Sequence, residues 1–157
     1  MLKGDQNAPV QAQLENLAFG QAALEKGGRP PEFSLPDSTG RVVSLRSVLG
    51  RERLLIAFAP KTADLEAVRR DRGAFLERDL TLISIMSAGV PSSIAPILNL
   101  RDADGKVAGT YGSSGKTLVY LVGKDGTTKA VWDSMPKLRD VYALIDAMPM
   151  RRGELRR

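Results

Sequence analysis

Runs of apolar residues and the polar stretches between them divide this chain into alternating strands and helices. Residues 54–59 (Leu-Leu-Ile-Ala-Phe-Ala) and 80–86 (Leu-Thr-Leu-Ile-Ser-Ile-Met) are almost unbroken apolar runs, the pattern of strands buried on both faces. Between them Leu65, Val68, Phe75 and Leu76 recur at helical spacing, which predicts a helix capped by Thr62 or Asp64 and running to about Glu77. Strand, helix, strand is a βαβ unit, so the two strands are expected to be parallel with a right-handed crossover.

Ahead of this unit, residues 33–35 and 42–45 flank the turn 36–40 in the manner of a short hairpin. Behind it, residues 87–99 are rich in Ser and Pro and carry no clear period, Asp102-Ala103-Asp104-Gly105 reads as a turn, and 106–111 as a short helix. Residues 117–122 and 128–132, joined by Gly123-Lys124-Asp125-Gly126, are expected to form an antiparallel hairpin. Leu138, Val141, Leu144, Ile145 and Met148 mark a last amphipathic helix, entered at Pro136 and stopped by Pro149, with Met148 in the core. At the other end, Val10, Leu14, Leu17 and Leu24 form one stripe of a helix over residues 9–26, followed by the breaker Arg29-Pro30-Pro31. The organisation read from this pattern is a helical appendage (1–28), one α/β domain (29–150) and a basic tail (151–157). The appendage's stripe needs a cover, either its own domain or a second copy of the chain in a homodimer.

Composition narrows the chemistry. With 157 residues, 43% of them hydrophobic, the chain can bury about two thirds of its unfolded surface and build a core without staples. It contains no cysteine and no histidine. Thiol redox chemistry, Cys or His metal sites and Ser/His/Asp or Cys/His catalysis each need a thiolate or an imidazole, so no such centre can be built. No metal and no cofactor is expected. The net charge is +5, of which +3 sits in the last seven residues, four arginines against one glutamate. Arg151, Arg152, Arg156 and Arg157 are therefore the candidates for binding nucleic acid or another polyanion, although no aromatic residue lies among them to stack on bases. The polar start of the chain is followed by no apolar core of signal-peptide length, and no run approaches a membrane span. A soluble, cytoplasmic protein without membrane contact is the expectation.

Two familiar spacings fail on inspection. Gly112-Ser113-Ser114-Gly115-Lys116-Thr117 has the ending of a phosphate-binding loop, yet Thr110 stands where that motif needs Gly, and a strand follows where it needs a helix. Asp102-x-Asp104-Gly105 begins like a calcium loop, but the position of its last ligand falls on Ser113.

The element order, hairpin, β, α, β, irregular segment, β-hairpin, α, resembles the thioredoxin fold with a peroxiredoxin-type N-terminal extension. Residues 31–37 with 40–45, and 100–108 with Tyr111-Gly112, look like peroxiredoxin-like and thiol-disulfide-reductase-like domains. Residues 118–129 together with 143–152 resemble the DUDES family, thioredoxin-like domains of unknown function found as single bacterial proteins and as modules of some animal secreted proteins. The resemblance covers about residues 30–155. It implies a mixed central sheet and an active-site rim made of residues 60–64 and 113–116. Thioredoxin-type cysteines would fall at Ala63 and Glu66, a peroxidatic cysteine at Ala67, and a cis-proline among residues 113–116, where this chain reads Ser-Ser-Gly-Lys. The resemblance thus implies a redox-dead binding or adaptor module whose rim contacts a protein partner or a small anion. Its rim residues Lys61, Thr62, Ser113, Ser114 and Lys116 are the contacts, since a helix N-terminus beside Lys61 favours an anion.

Overall fold

A computed structural model describes residues 27–156. The appendage expected over residues 9–26, and with it the choice between cis docking and a homodimer, lies outside the described residues, as does Arg157.

Seven strands and six helices follow one another along the described chain. They are β1 (Ser34–Pro36), β2 (Val42–Ser44), α1 (Leu45–Val48), β3 (Arg53–Phe58), α2 (Thr62–Arg70), α3 (Arg72–Glu77), β4 (Leu80–Met86), β5 (Ile97–Arg101), α4 (Lys106–Thr110), β6 (Leu118–Val122), β7 (Thr128–Trp132), α5 (Leu138–Asp146) and α6 (Pro149–Leu155). Strands β1 and β2 form a small antiparallel hairpin, and the other five make one sheet in the order β5-β4-β3-β6-β7. β3 runs parallel to β4 and β4 to β5, whereas β6 is antiparallel to both β3 and β7. Four of its five strands, β3, β4, β6 and β7, are those expected from the apolar runs.

Every residue of β3 is buried because the sheet is covered on both faces. Leu54, Ile56 and Phe58 join Ile83, Tyr120 and the β1–β2 hairpin in one core. Leu55 and Ala57 join Leu65, Val68, Phe75, Trp132, Val141 and Ile145 in the other, beneath α2, α3 and α5. The period-2 alternation of a strand distributes one apolar run between two cores.

Four details depart from the sequence reading. The helix expected to run unbroken to Glu77 is two helices, because Asp71 (φ −99°, ψ 24°) leaves the helical conformation and its Oδ2 accepts the Tyr142 hydroxyl at 2.8 Å. The N-cap of α2 is Lys61 rather than Thr62 or Asp64. Its backbone N–H donates to Asp64 Oδ2 at 3.0 Å, so Asp64 serves from inside the first turn. Residues 97–101 form the edge strand β5, which had no period to announce it. Buried Asn99 interrupts its apolar run, and its polar backbone and side chain are met locally by Ser93 Oγ and the Ser92 carbonyl. Pro149 does not end the last helix. α5 stops at Asp146, and Pro149 opens α6, the position where a missing N–H costs nothing. The residues expected as a basic tail are therefore mostly helix. Met148 packs against the second core as expected.

Helix α6 is held by charge. Arg53, 1% exposed at the start of β3, donates two hydrogen bonds to the Glu154 carboxylate (3.2 and 3.1 Å), and Lys124 Nζ donates to the same group at 2.7 Å. Arg151 binds Asp146, Glu77 and the Glu77 carbonyl (3.0–3.1 Å). Arg78 clamps Asp146 from the other side and lies 4.6 Å over the Tyr142 ring.

Candidate functional site

At the C-terminal edge of β3 the chain turns sharply. Ala59 adopts φ +50°, a left-handed conformation that costs a non-glycine residue about 1–2 kcal/mol. The turn is pinned on both sides, by the Ala59 N–H to the Ile85 carbonyl (3.0 Å) and by the Thr117 hydroxyl to the Ala59 carbonyl (2.8 Å). Strain held by its surroundings in this way is characteristic of functional sites. From here Pro60 leads to Lys61 and the N-terminus of α2.

Two cavities meet at Ala59 and Gly115. One, of about 380 Å³, is lined by Phe58, Ile85, Met86, Asp102, Ala108, Ser113 and Ser114. The other, of about 580 Å³, is lined by Lys61, Asp64, Lys116, Thr117, Asp133 and Met135. Phe58, which lines the first, packs on a buried aromatic layer. Phe58 lies 5.0 Å from the Tyr111 ring, and Tyr111 meets Tyr120 edge-on at 5.2 Å. Both hydroxyls are committed, Tyr111 to the Pro31 carbonyl and Tyr120 to the Tyr111 carbonyl, each at 2.5 Å. Burial pushes both phenols well above the ordinary tyrosine range, so neither serves as an acid or base near neutrality.

The rim residues expected from the sequence are brought to this edge but divided between the two cavities. Lys61 and Lys116 line one, Ser113 and Ser114 the other, and Thr62 is exposed on the first turn of α2 and lines neither. The Ser113 hydroxyl is buried and donates to the Lys116 carbonyl at 2.8 Å, shaping the loop rather than facing a ligand. Ala59, Asp102 and Asp133 line these cavities as well, and no sequence pattern marks them as part of the rim. The Asp102 carboxylate accepts the Val107 and Ala108 N–H groups (3.3 and 2.8 Å) and so starts α4, which leaves no oxygen arrangement resembling a calcium loop. Gly112 and Gly115 both take positive φ, and the loop runs into β6 rather than into a helix.

The arginines expected as a polyanion site that lie among the described residues are on α6 and at its end, and they differ in their surroundings. Arg151 is 4% exposed and engaged by carboxylates, while Arg152 and Arg156 are exposed on and after α6. Among the described residues no helix is long and apolar enough to cross a membrane.

The positions that would carry a thiol are equally definite. Ala63 is the second residue of α2, Glu66 is exposed one turn on, and Ala67 is half-buried. Since Ala63 sits where free N–H groups and the helix dipole favour an anion, Ala63→Cys should give a thiol with pKa below the free value of about 8.5. The pH dependence of its alkylation measures this, and a value above the free one would show that the α2 N-terminus exerts no such field.

Architecture of this kind is shared with solved structures. The 2-Cys peroxiredoxin of Plasmodium vivax superposes with TM-score 0.66 at 16% identity over 82% of this chain and 83% of its own. Peroxidoxin BcpB of Mycobacterium tuberculosis does so with TM-score 0.66 at 21% identity over 78% and 97%. A protein designated thiol:disulfide interchange protein DsbE from Chlorobium tepidum follows with TM-score 0.59 at 16% identity over 77% and 98%. At these identities the likeness is one of fold alone, and the fold is thioredoxin-like. More particularly, the family described as Domain of unknown function (DUF4174) matches residues 44–154, and the chain belongs to that family. No curated protein matches its sequence.

Proposed function

We propose that this protein is a redox-inactive binding module, of the DUDES type, that holds an anionic segment of a protein partner along the C-terminal edge of its sheet. The observation that carries the reading is the joined pair of cavities around Ala59, which preserves a recess at the α2 N-terminus while Ala63, Glu66 and Ala67 provide no nucleophile. Lys61 and Lys116 attract the anion, the α2 N–H groups orient it, and the cleft over Phe58 takes an adjoining apolar group. Catalysis by thiol exchange has no attacking atom. Binding at this edge needs only the recess, the two lysines and the helix end.

Two measurements test the reading. Insulin reduction and peroxide consumption should not exceed the protein-free blank, and turnover in a contaminant-free preparation would end the redox-inactive reading. Titration with a glutamate-rich peptide should shift the amide resonances of residues 59–62 and 113–116, and a Lys61→Ala/Lys116→Ala variant should bind it at least about fivefold more weakly. Shifts confined to α6, or an unchanged affinity in the double variant, would move the binding surface elsewhere.

A further inference from the structure

We propose that a second binding site, at the opposite edge of the sheet, takes a small amphipathic molecule with an apolar tail and a single anionic head, such as a medium-chain carboxylate. Strand β3 begins there at Arg53 and β6 ends at Val122, and a cavity of about 510 Å³ opens between the β6–β7 turn and the α5–α6 junction. That volume is typical of ligand sites.

One wall is apolar and adaptable. It consists of Leu144, Ala147, Met148, Pro149 and Met150, and Leu144 and Met150 remain 43% and 53% exposed. Large apolar side chains left in water around a concavity mark a surface suited to an apolar occupant. Flexible thioethers let the wall fit tails of differing shape. The Pro149 break between α5 and α6 is what turns these side chains into a single wall.

The facing wall is cationic. Lys124 gives hydrogen bonds to Asp79 and Glu154, and Lys129 gives one to Asp125, all at 2.7 Å. An ammonium has three N–H groups, so one on Lys124 and two on Lys129 remain for a ligand. Arg53 stands behind them with its two terminal nitrogens on Glu154 and its Nε–H buried and without an acceptor, so one further donor on this wall is unmet. The acid on the rim, Asp125, lines the cavity with both oxygens engaged, Oδ1 accepting from the Thr127 N–H and hydroxyl and Oδ2 from Lys129. An anionic head on Lys129 and a tail along Leu144 and Met150 satisfy both walls at once. A cationic head would meet Arg53, Lys124 and Lys129 with Asp125 as the single acid among the lining residues, and an uncharged one would gain only the apolar wall.

Decanoate, decanol and decylammonium, each below its aggregation concentration, are the probes, and the methionine methyl resonances of the full chain are the readout. Decanoate should shift Met148 and Met150 in a saturable manner while leaving Met86 and Met135, which line the cavities at the other edge, in place. It should bind more tightly than decanol and decylammonium, and Lys129→Met should lower its affinity about fivefold while leaving decanol binding unchanged. Met150→Glu, a substitution at an exposed position, should abolish binding of all three without loss of the folded spectrum. Shifts at Met86 or Met135 instead, equal affinity for the three head groups, or no saturation would overturn the proposal.

Discussion

Glu154→Ala should lower the stability of the folded protein by about 3–5 kcal/mol, the cost of leaving a buried charge without its partner. The side chain of Arg53 is 1% exposed and that of Glu154 16%, so removing the carboxylate strands a guanidinium inside the protein and releases Lys124 and one contact of Arg151 as well. The double variant Arg53→Met/Glu154→Leu should recover most of the loss, since an apolar pair of similar volume replaces a desolvated ion pair at little cost. Urea denaturation of the wild-type protein, Glu154→Ala and the double variant measures this. A double variant no more stable than Glu154→Ala would mean that packing, not charge, dominates at α6.

The same carboxylate makes stability depend on pH. Burial alone would raise the Glu154 pKa, but hydrogen bonds from Arg53 and Lys124, together with their charges, more than offset it and hold the group at about 2. An unfolded glutamate titrates near 4.3, so the folded state binds its proton less readily than the unfolded state does. The contribution is therefore fully present above about pH 4.3 and is lost as the pH falls through about 2; it amounts to about 3 kcal/mol. Hydrogen bonds and charge from Arg78 and Arg151 likewise hold Asp146 below the usual carboxylate range against the opposing effect of burial, which adds to the decline on the acid side. The wild-type stability curve should slope steeply there and that of Glu154→Ala should be flatter. Parallel curves would refute the assignment.

Phe58→Ala should cost a further 3–5 kcal/mol by itself, the range of a large aromatic removed from a closed core. The residue is 1% exposed in the strand at the centre of the sheet, and its ring touches Tyr111 and Tyr120, which hold the α4 loop and the Pro31 segment through their hydroxyls. Phe58→Leu, which keeps most of the volume, should cost less than about 1.5 kcal/mol. Because Phe58 also floors the cleft, the alanine variant should enlarge that recess in the folded fraction. A loss below about 1 kcal/mol for Phe58→Ala would show that the aromatic layer relaxes to fill the space.

Periodicity located the central sheet because burial on both faces leaves a local imprint. Residues 54–59 and 80–86 are apolar throughout and became β3 and β4, and the parallel pairing follows from the length of the crossover between them. β6 and β7 were legible for the same reason. β5 was not, since it lies at the sheet edge, and its Asn99 and Arg101 pair with backbone or face water instead of a core. Sequence patterns record burial, and an edge strand has less of it.

The missing thiol was equally plain from composition alone, because a residue type that is absent from the chain is absent from every fold of it. The fold carries Lys61 and Lys116, two of the rim residues that the resemblance implies, to one cavity. Tertiary structure alone decided the rest. The Ala59 turn depends on Thr117, which is 58 residues away. Arg151 could be read from the sequence only as one positive charge in a basic run. In the folded chain it is surrounded by Glu77, Asp146 and Glu154 from three helices, and this turns an expected tail into a packed helix. Short-range pattern determines which segments bury their side chains, through the solvent preference of each residue. Which charges meet, and so which remain free for a ligand, is set by long-range contacts that no local spacing records.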